Sequence, residues 1–222
     1  MDIPRIFNIT ESAHRIHNPF TPEKLATLGA ALLLETGTRV LDLGSGSGEM
    51  LCTWARDYGV IGTGIDMSQL FTEQAKLRAE KLGVADQVKF IHGDATGYVS
   101  DEKASVAACV GATWIAGGVV GTIELLARSL HTGGIILIGE PYWRQLPPTE
   151  DDARGCLAGS ISTFSCFRNF SRLSATSATT SWKWFWQTKT AGTGTRRPSG
   201  SPCADGLKTI PTTSSRKMFE PN

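Results

Sequence analysis

The chain has no run of eighteen apolar residues, and no apolar stretch follows its opening Met-Asp-Ile-Pro-Arg. The first absence argues against a membrane-spanning helix and the second against a secretory leader, so a cytoplasmic protein with no membrane partner is expected. Five cysteines, Cys52, Cys109, Cys156, Cys166 and Cys203, include no Cys-x-x-Cys pair and no metal-like spacing. Reduced thiols and no metal site are expected. Net charge is nearly absent too, at +1, but this small figure hides two unlike halves. Residues 1–162 carry 13 Lys+Arg against 19 Asp+Glu, whereas residues 163–222 carry 9 against 2. Ser and Thr supply 20 of those last 60 residues and 22 of the first 162, so composition changes where charge does.

What is present is concentrated between Arg39 and Glu49, Arg-Val-Leu-Asp-Leu-Gly-Ser-Gly-Ser-Gly-Glu. Val40, Leu41 and Leu43 suit a buried parallel strand. Gly44, Gly46 and Gly48 remove side chains where a ligand approaches the backbone. A helical pattern starts at Glu49, which puts the turn at a helix N-terminus. The dinucleotide fingerprint Gly-x-Gly-x-x-Gly would need its third glycine at Glu49. Here the spacing is Gly-x-Gly-x-Gly, with Asp42 two residues before it.

These residues resemble the first motif of class I S-adenosylmethionine-dependent methyltransferases. The resemblance implies a Rossmann-like α/β sheet with helices on both faces and S-adenosyl-L-methionine as cofactor. It places Asp42 near the methionine amino group and Gly44, Ser45, Gly46 and Gly48 along the cofactor. Length agrees with one such domain plus a tail.

In chain order, residues 1–20 form a lid-like segment without sustained periodicity. It holds His14 and His17, which would share a face on a helix and are substrate-facing candidates, with no carboxylate partner in view. Thr21-Pro22 starts a helix that carries Leu25, Leu28 and Leu32, and Gly37 stops it. Met50–Tyr58 is a second helix closed by Gly59, and Val60–Ile65 a second strand ending at Asp66. Strand, helix and strand make a right-handed crossover. Asp66 supports a ribose without choosing between NAD and a methyl donor; the resemblance assigns it the ribose hydroxyls, with Met67 beside it. Ser68 caps a helix over Gln69–Leu82, which Gly83 closes.

Val88 to His92 reads as a third strand leading into Gly93, Asp94 and Ala95. By resemblance, Asp94 takes the adenine amino group next to Ala95, and an acidic residue here favours the methyl donor over NAD. Ser105–Val110 is a fourth strand followed by Gly111, the last cofactor-lining candidate, and by Thr113 and Trp114 on the substrate side. The chain lacks the Asn/Asp-Pro-Pro-Tyr/Phe sequence of many amine and nucleobase methyltransferases, so a small-molecule acceptor and no nucleic acid are expected. A helix over Ile123–Leu130, the turn His131-Thr132-Gly133-Gly134 and a fifth strand over Ile135–Ile138 follow. That strand ends at Glu140, which could accept a proton or pair with a cationic substrate; Glu140 and Thr113 are the catalytic candidates, and Tyr142 is a further substrate candidate. The opening Met-Asp-Ile-Pro-Arg-Ile-Phe and the run Glu140-Pro-Tyr-Trp-Arg look like a small group of bacterial methyltransferases.

Residues 21–162 are thus expected to form the methyltransferase domain. Residues 163–222 are read as an irregular, frame-shifted tail, the product of a one-nucleotide deletion near Ser162 or Thr163. The hairpin usual in this family would then be missing and the fifth strand left as a sheet edge. An active methyltransferase, an inactive remnant and an NAD-dependent oxidoreductase are the three readings this sequence leaves.

Overall fold

The computed structural model describes residues 9–18, 20–143, 145–155 and 158–164, and the backbone of 181–184. Apart from that backbone and residues 163–164, the proposed frame-shifted tail lies outside the described residues.

Five strands run parallel: β1 (Arg39–Leu43), β2 (Ile61–Asp66), β3 (Val88–His92), β4 (Ala104–Val110) and β5 (Leu130–Gly139). A sixth, β6 (Ser181–Trp184), completes the order β3-β2-β1-β4-β5-β6. The reversal of order between β1 and β4 is where open α/β sheets hold ligands at the carboxyl ends of their strands. One expectation changes at β5, which is not a sheet edge. Ile135 to Ile138 pair in parallel with Ser181 to Trp184, and no hairpin is seen there among the described residues.

Three helices cover one face: α1 (Pro22–Ala31), α2 (Glu49–Tyr58) and α3 (Gln69–Leu82). Each start and stop reflects local chemistry. Thr21 Oγ1 accepts from the Lys24 N–H, Ser68 Oγ accepts from the Phe71 N–H, and Gly59 and Gly83 take left-handed φ values of 70° and 69° at the C-caps. The expected stop at Gly37 comes too late for α1, which ends at Ala31. Leu32 and Leu33 leave the helix there, Leu33 with φ 53°.

Alternation along the strands divides the core in two. Val40, Val106, Ala108 and Leu137 join Leu28, Leu51, Trp54 and Phe90 under these helices. Leu41, Leu43, Ala107, Cys109, Ile136 and Ile138 join Leu125 and Leu126 of α4 (Val119–Ala127) on the other face. Trp54, fully buried, donates its indole N–H to the Leu25 carbonyl at 3.3 Å and ties α1 to α2. Gly29 lets them approach, since a Cβ there would stand 2.6 Å from the Tyr58 ring.

The helix expected over Ile123–Leu130 begins and ends earlier. Gly117 and Gly118, with φ of 74° and 112°, turn the chain so that α4 starts at Val119. Its far end is lost to the sheet: the Ala104 N–H donates to the Ser129 carbonyl at 2.8 Å, and Leu130 is already paired with Ala104 in β5. The turn His131-Thr132-Gly133-Gly134 is therefore not a loop before the strand. It is an irregularity inside β5, where the register jumps from Ala104–Leu130 to Val106–Ile135.

Candidate functional site

The glycine turn is built by backbone and by one carboxylate. The N–H groups of Gly44 and Ser45 both donate to the Ile65 carbonyl, at 2.8 and 3.1 Å, locking the turn to the end of β2. Asp66 then reaches back: its Oδ2 accepts from the Gly46 N–H at 2.7 Å and its Oδ1 from the Ser68 N–H at 2.8 Å. The expectation that the three glycines make room for a ligand needs refinement. All three have left-handed φ, and a Cβ at Gly44 would meet Ala112 at 2.6 Å, at Gly46 the His17 Nδ1 at 2.8 Å, and at Gly48 the Phe90 ring at 2.6 Å. Their near neighbours are protein atoms, so packing requires them as much as any ligand would. Gly64, which the sequence reading passed over, faces Ser45 in the same way, at 2.7 Å from its Oγ.

Asp42 is the least ordinary group. Only 4% exposed, it sits at the carboxyl end of β1 on the face that also carries Val40, and its Oδ1 is buried without a hydrogen-bond partner. Burial, reinforced by the nearby Asp66 charge, pushes its carboxyl up to about 7. Asp66 is raised as well, chiefly by burial and against the pull of its two backbone hydrogen bonds. A solvent-open pocket meets Asp42 and the turn from Gly44 to Ser47, with Leu25, Leu28 and Met50 as apolar wall.

Parallel pairing sets the three acidic positions along one edge. Asp66 is paired with His92, two residues before Asp94, and Leu43 with Ile65, so Asp42, Asp66 and Asp94 follow neighbouring strand ends in order. Asp94 differs from the other two. It is exposed, and hydrogen bonds from Thr96, whose N–H lies 2.8 Å from Oδ1, hold it below the usual carboxylate range. Met67 is half-buried and its carbonyl lies 3.1 Å from His92 Nε2, while Ala95 is buried. Gly111 takes φ 85° and donates its N–H to the Gly139 carbonyl at 2.8 Å, joining the ends of β4 and β5.

Beyond those ends the structure brings together two residues that the sequence could name only separately. Buried Thr113 donates from Oγ1 to Glu140 Oε2 at 2.5 Å. Its own carbonyl accepts from the buried Thr122 hydroxyl at 2.8 Å, so the pair has a rigid base. Burial pushes the Glu140 carboxyl up and the Thr113 hydroxyl pulls it partly back. Trp114, next in the chain, is 61% exposed and not a core aromatic. Tyr142 is half-buried, and its neighbour Trp143 turns inward to pack on Phe164 and donate to the Ile161 carbonyl at 2.7 Å.

His14 and His17 do not act as a pair on one helical face. His14 points outward, 2.8 Å from Glu11, a carboxylate partner three residues away that the sequence reading overlooked. His17 turns inward over Gly46 and packs at a tilt on the Phe71 ring, centroids 4.1 Å apart, and burial lowers its pKa. The segment around them lies against the glycine turn: Ser47 Oγ donates to the Arg15 carbonyl at 3.1 Å, and Gln74 Nε2 to that of Ser12 at 3.0 Å. Glu49, read from sequence only as a helix start, pairs with Arg15 at 3.1 Å and with Arg78. Among the described residues no group of three His, Cys, Asp or Glu side chains is placed to hold a metal, and no helix is long and apolar enough to cross a membrane.

A glycine turn at the switch point of a parallel sheet ordered β3-β2-β1-β4-β5 belongs to the class of α/β proteins that bind ligands at the carboxyl edge of the sheet. The relatives narrow it. Residues 40–134 match the model of a methyltransferase domain. A crystal structure of an S-adenosylmethionine-dependent methyltransferase from Geobacter sulfurreducens, in complex with S-adenosyl-L-homocysteine, is 83% identical and superposes with a TM-score of 0.75 over 76% of this chain and 68% of that one. A corresponding complex from Thiobacillus denitrificans is 79% identical, with a TM-score of 0.74 over 77% and 68%. Escherichia coli YjhP is 71% identical over 164 residues, 74% of this chain and 66% of its own length. The chain belongs to the S-adenosylmethionine-dependent methyltransferase family, and it spans about two thirds of the length of these relatives.

Proposed function

We propose that the chain binds S-adenosyl-L-methionine along the edge formed by Asp42, Asp66 and Asp94 and transfers its methyl group in line to a small-molecule acceptor. The observation that carries this reading is Asp42 Oδ1, a buried carboxylate oxygen with no donor beside the glycine turn. Such an oxygen is stabilised by a cationic donor, and the amino group of the cofactor supplies one. Asp66 keeps an unused lone pair on each oxygen for ribose hydroxyls. Asp94 stands in the open for the adenine amino group, and Met67, Ala95 and Gly111 flank the edge.

The sulfonium supplies an already activated methyl group, so the protein's share is alignment, exclusion of water and removal of a proton. Glu140 is the proton acceptor in this reading, oriented by the Thr113 hydroxyl, with Trp114 and Tyr142 on the acceptor side. A relative supports an oxygen nucleophile: the 27-O-demethylrifamycin SV methyltransferase of Amycolatopsis mediterranei is 41% identical over 68 residues, 31% of this chain and 25% of that protein. Nucleic acid and membrane are not expected partners, and the cytoplasm is the expected compartment. Titration calorimetry tests the reading directly. Binding of S-adenosylhomocysteine with no heat from NAD supports it, and the reverse would overturn it.

A second reading, an inactive remnant, draws support from composition. Charge and Ser/Thr content change together after residue 162. A genomic read with an uninterrupted frame and no restoring base at that point removes it.

A further inference from the structure

Five residues between Arg15 and Phe20 line the same pocket as Asp42 and the glycine turn, so the site is incomplete unless the N-terminal segment lies down. What holds it is uneven. Neutral contacts run to it, among them hydrogen bonds from Ser47 to the Arg15 carbonyl and from Gln74 to the Ser12 carbonyl and the packing of His17 on Phe71. The charged tie runs through Glu49 alone among the described residues. Glu49 Oε1 pairs with Arg15 of the segment at 3.1 Å and also accepts from the Thr53 hydroxyl at 3.3 Å, while Oε2 pairs with Arg78 of α3. The Glu49 and Arg78 side chains are 12% and 18% exposed, against 58% for Arg15. One arm of this carboxylate is therefore built into the fold, and the other reaches a solvent-exposed cation that can leave.

We infer that Glu49 is a positioning residue that latches the segment around Arg15 over the cofactor pocket, so that entry and release of the nucleoside require the Arg15–Glu49 pair to open. The inference rests on the cofactor reading above, but it concerns which contact controls access. The inner pair with Arg78 fixes the carboxylate, because a half-buried ion held by a second ion loses little freedom when a third arrives. The outer pair is worth what exposed ion pairs are worth and is screened by salt. A weak, reversible closure is what a turnover cycle needs.

The test uses the full chain, with Arg15→Met to remove the charge while keeping the stem, Arg15→Lys as the conservative variant, and S-adenosylhomocysteine as the probe. Stopped-flow release should speed up about two- to five-fold in Arg15→Met, the range expected of an exposed pair, and be partly restored in Arg15→Lys. Raising salt from about 0.05 to 0.5 M should speed release from the wild type and leave Arg15→Met unchanged. Backbone hydrogen exchange over residues 9–18 of the unliganded protein should rise in Arg15→Met, while exchange in β1 and β4 stays the same. Equal release rates and equal salt dependence in wild type and Arg15→Met would overturn the latch. Should the wild type bind no S-adenosylhomocysteine, the cofactor reading fails, and the exchange arm still decides the latch: unchanged protection over residues 9–18 rejects it.

Discussion

The two sides of the site are made differently. The side proposed for the methyl donor, at the ends of β1, β2 and β3, is mostly backbone: the glycine turn held by the Ile65 carbonyl and Asp66, with the buried Asp42 Oδ1 lacking a partner among the described residues. The side proposed for the acceptor, past β4 and β5, is made of side chains on two connections: Thr113 and an exposed Trp114 in the turn after β4, and Glu140 just after β5, which Thr113 bonds. A backbone-built site tolerates few substitutions, because its geometry is the fold itself. A loop-built site can change its acceptor without disturbing the sheet. Substitutions on the two sides should accordingly separate into losses of binding or stability and losses of turnover.

The largest effect is expected at Glu140. With an acceptor found by screening, Glu140→Gln should lower kcat by roughly 10²-fold or more, as loss of a general base does, and leave the calorimetric affinity for S-adenosylhomocysteine within about two-fold, within the scatter of surface changes. If affinity fell with turnover, the division into two sides would be wrong.

Gly48→Ala should cost about 3 kcal/mol in a denaturant melt, since it combines φ 74° with a Cβ 2.6 Å from Phe90 and 2.7 Å from Ala75. Gly93→Ala is its control: a Cβ there meets nothing within 4 Å, and the change should stay within about 0.5 kcal/mol.

Asp42→Asn should weaken S-adenosylhomocysteine binding by roughly 10- to 100-fold, the value of a charged hydrogen bond, with the fold kept. Because the Asp42 carboxyl is pushed up to about 7, the sign of its pH dependence differs between folding and binding. Between its ordinary value of 3.8 and about 7 the folded state holds the proton more tightly than the unfolded chain. Its contribution to stability is therefore fully present below 3.8 and is lost as pH rises toward about 7. Binding of an ammonium group runs the other way. Affinity should rise from pH 6 to 8 in the wild type, and the part of that rise owed to this carboxyl should vanish in Asp42→Asn.

The smallest effect is expected of Trp114→Ala, which removes an exposed ring. The melting temperature should move by less than about 2 °C, as for other surface changes, and any consequence should show in the KM for the acceptor alone. A loss of cofactor binding here would mean that the loop belongs to the donor side as well.

Period and punctuation made much of this legible in the residues. Helix α3 runs from the residue after Ser68 to the residue before Gly83, as its sequence predicts, because a hydroxyl cap and a left-handed glycine act within one turn of chain. The carboxylates fell at strand ends for a similar reason: apolar runs mark parallel strands, and the residues just past each run lie at the ligand edge. The misplaced boundaries of α4 and β5 show where this fails. Leu125 and Leu130 look alike in sequence, but one packs under the sheet and the other pairs with Ala104, a choice made by hydrogen bonds across 26 residues. Glu49 failed in the same manner: its value lies in Arg15 and Arg78, 34 residues before and 29 after it.

Local chemistry, then, was enough to specify the crossover units, their caps and the acidic series at the strand ends, since each depends on neighbours within a turn or two. The Thr113–Glu140 contact, the inward turn of His17 and the absence of any donor for Asp42 Oδ1 arise only when distant segments are packed together, because hydrogen bonding and desolvation depend on which atoms surround a group in space.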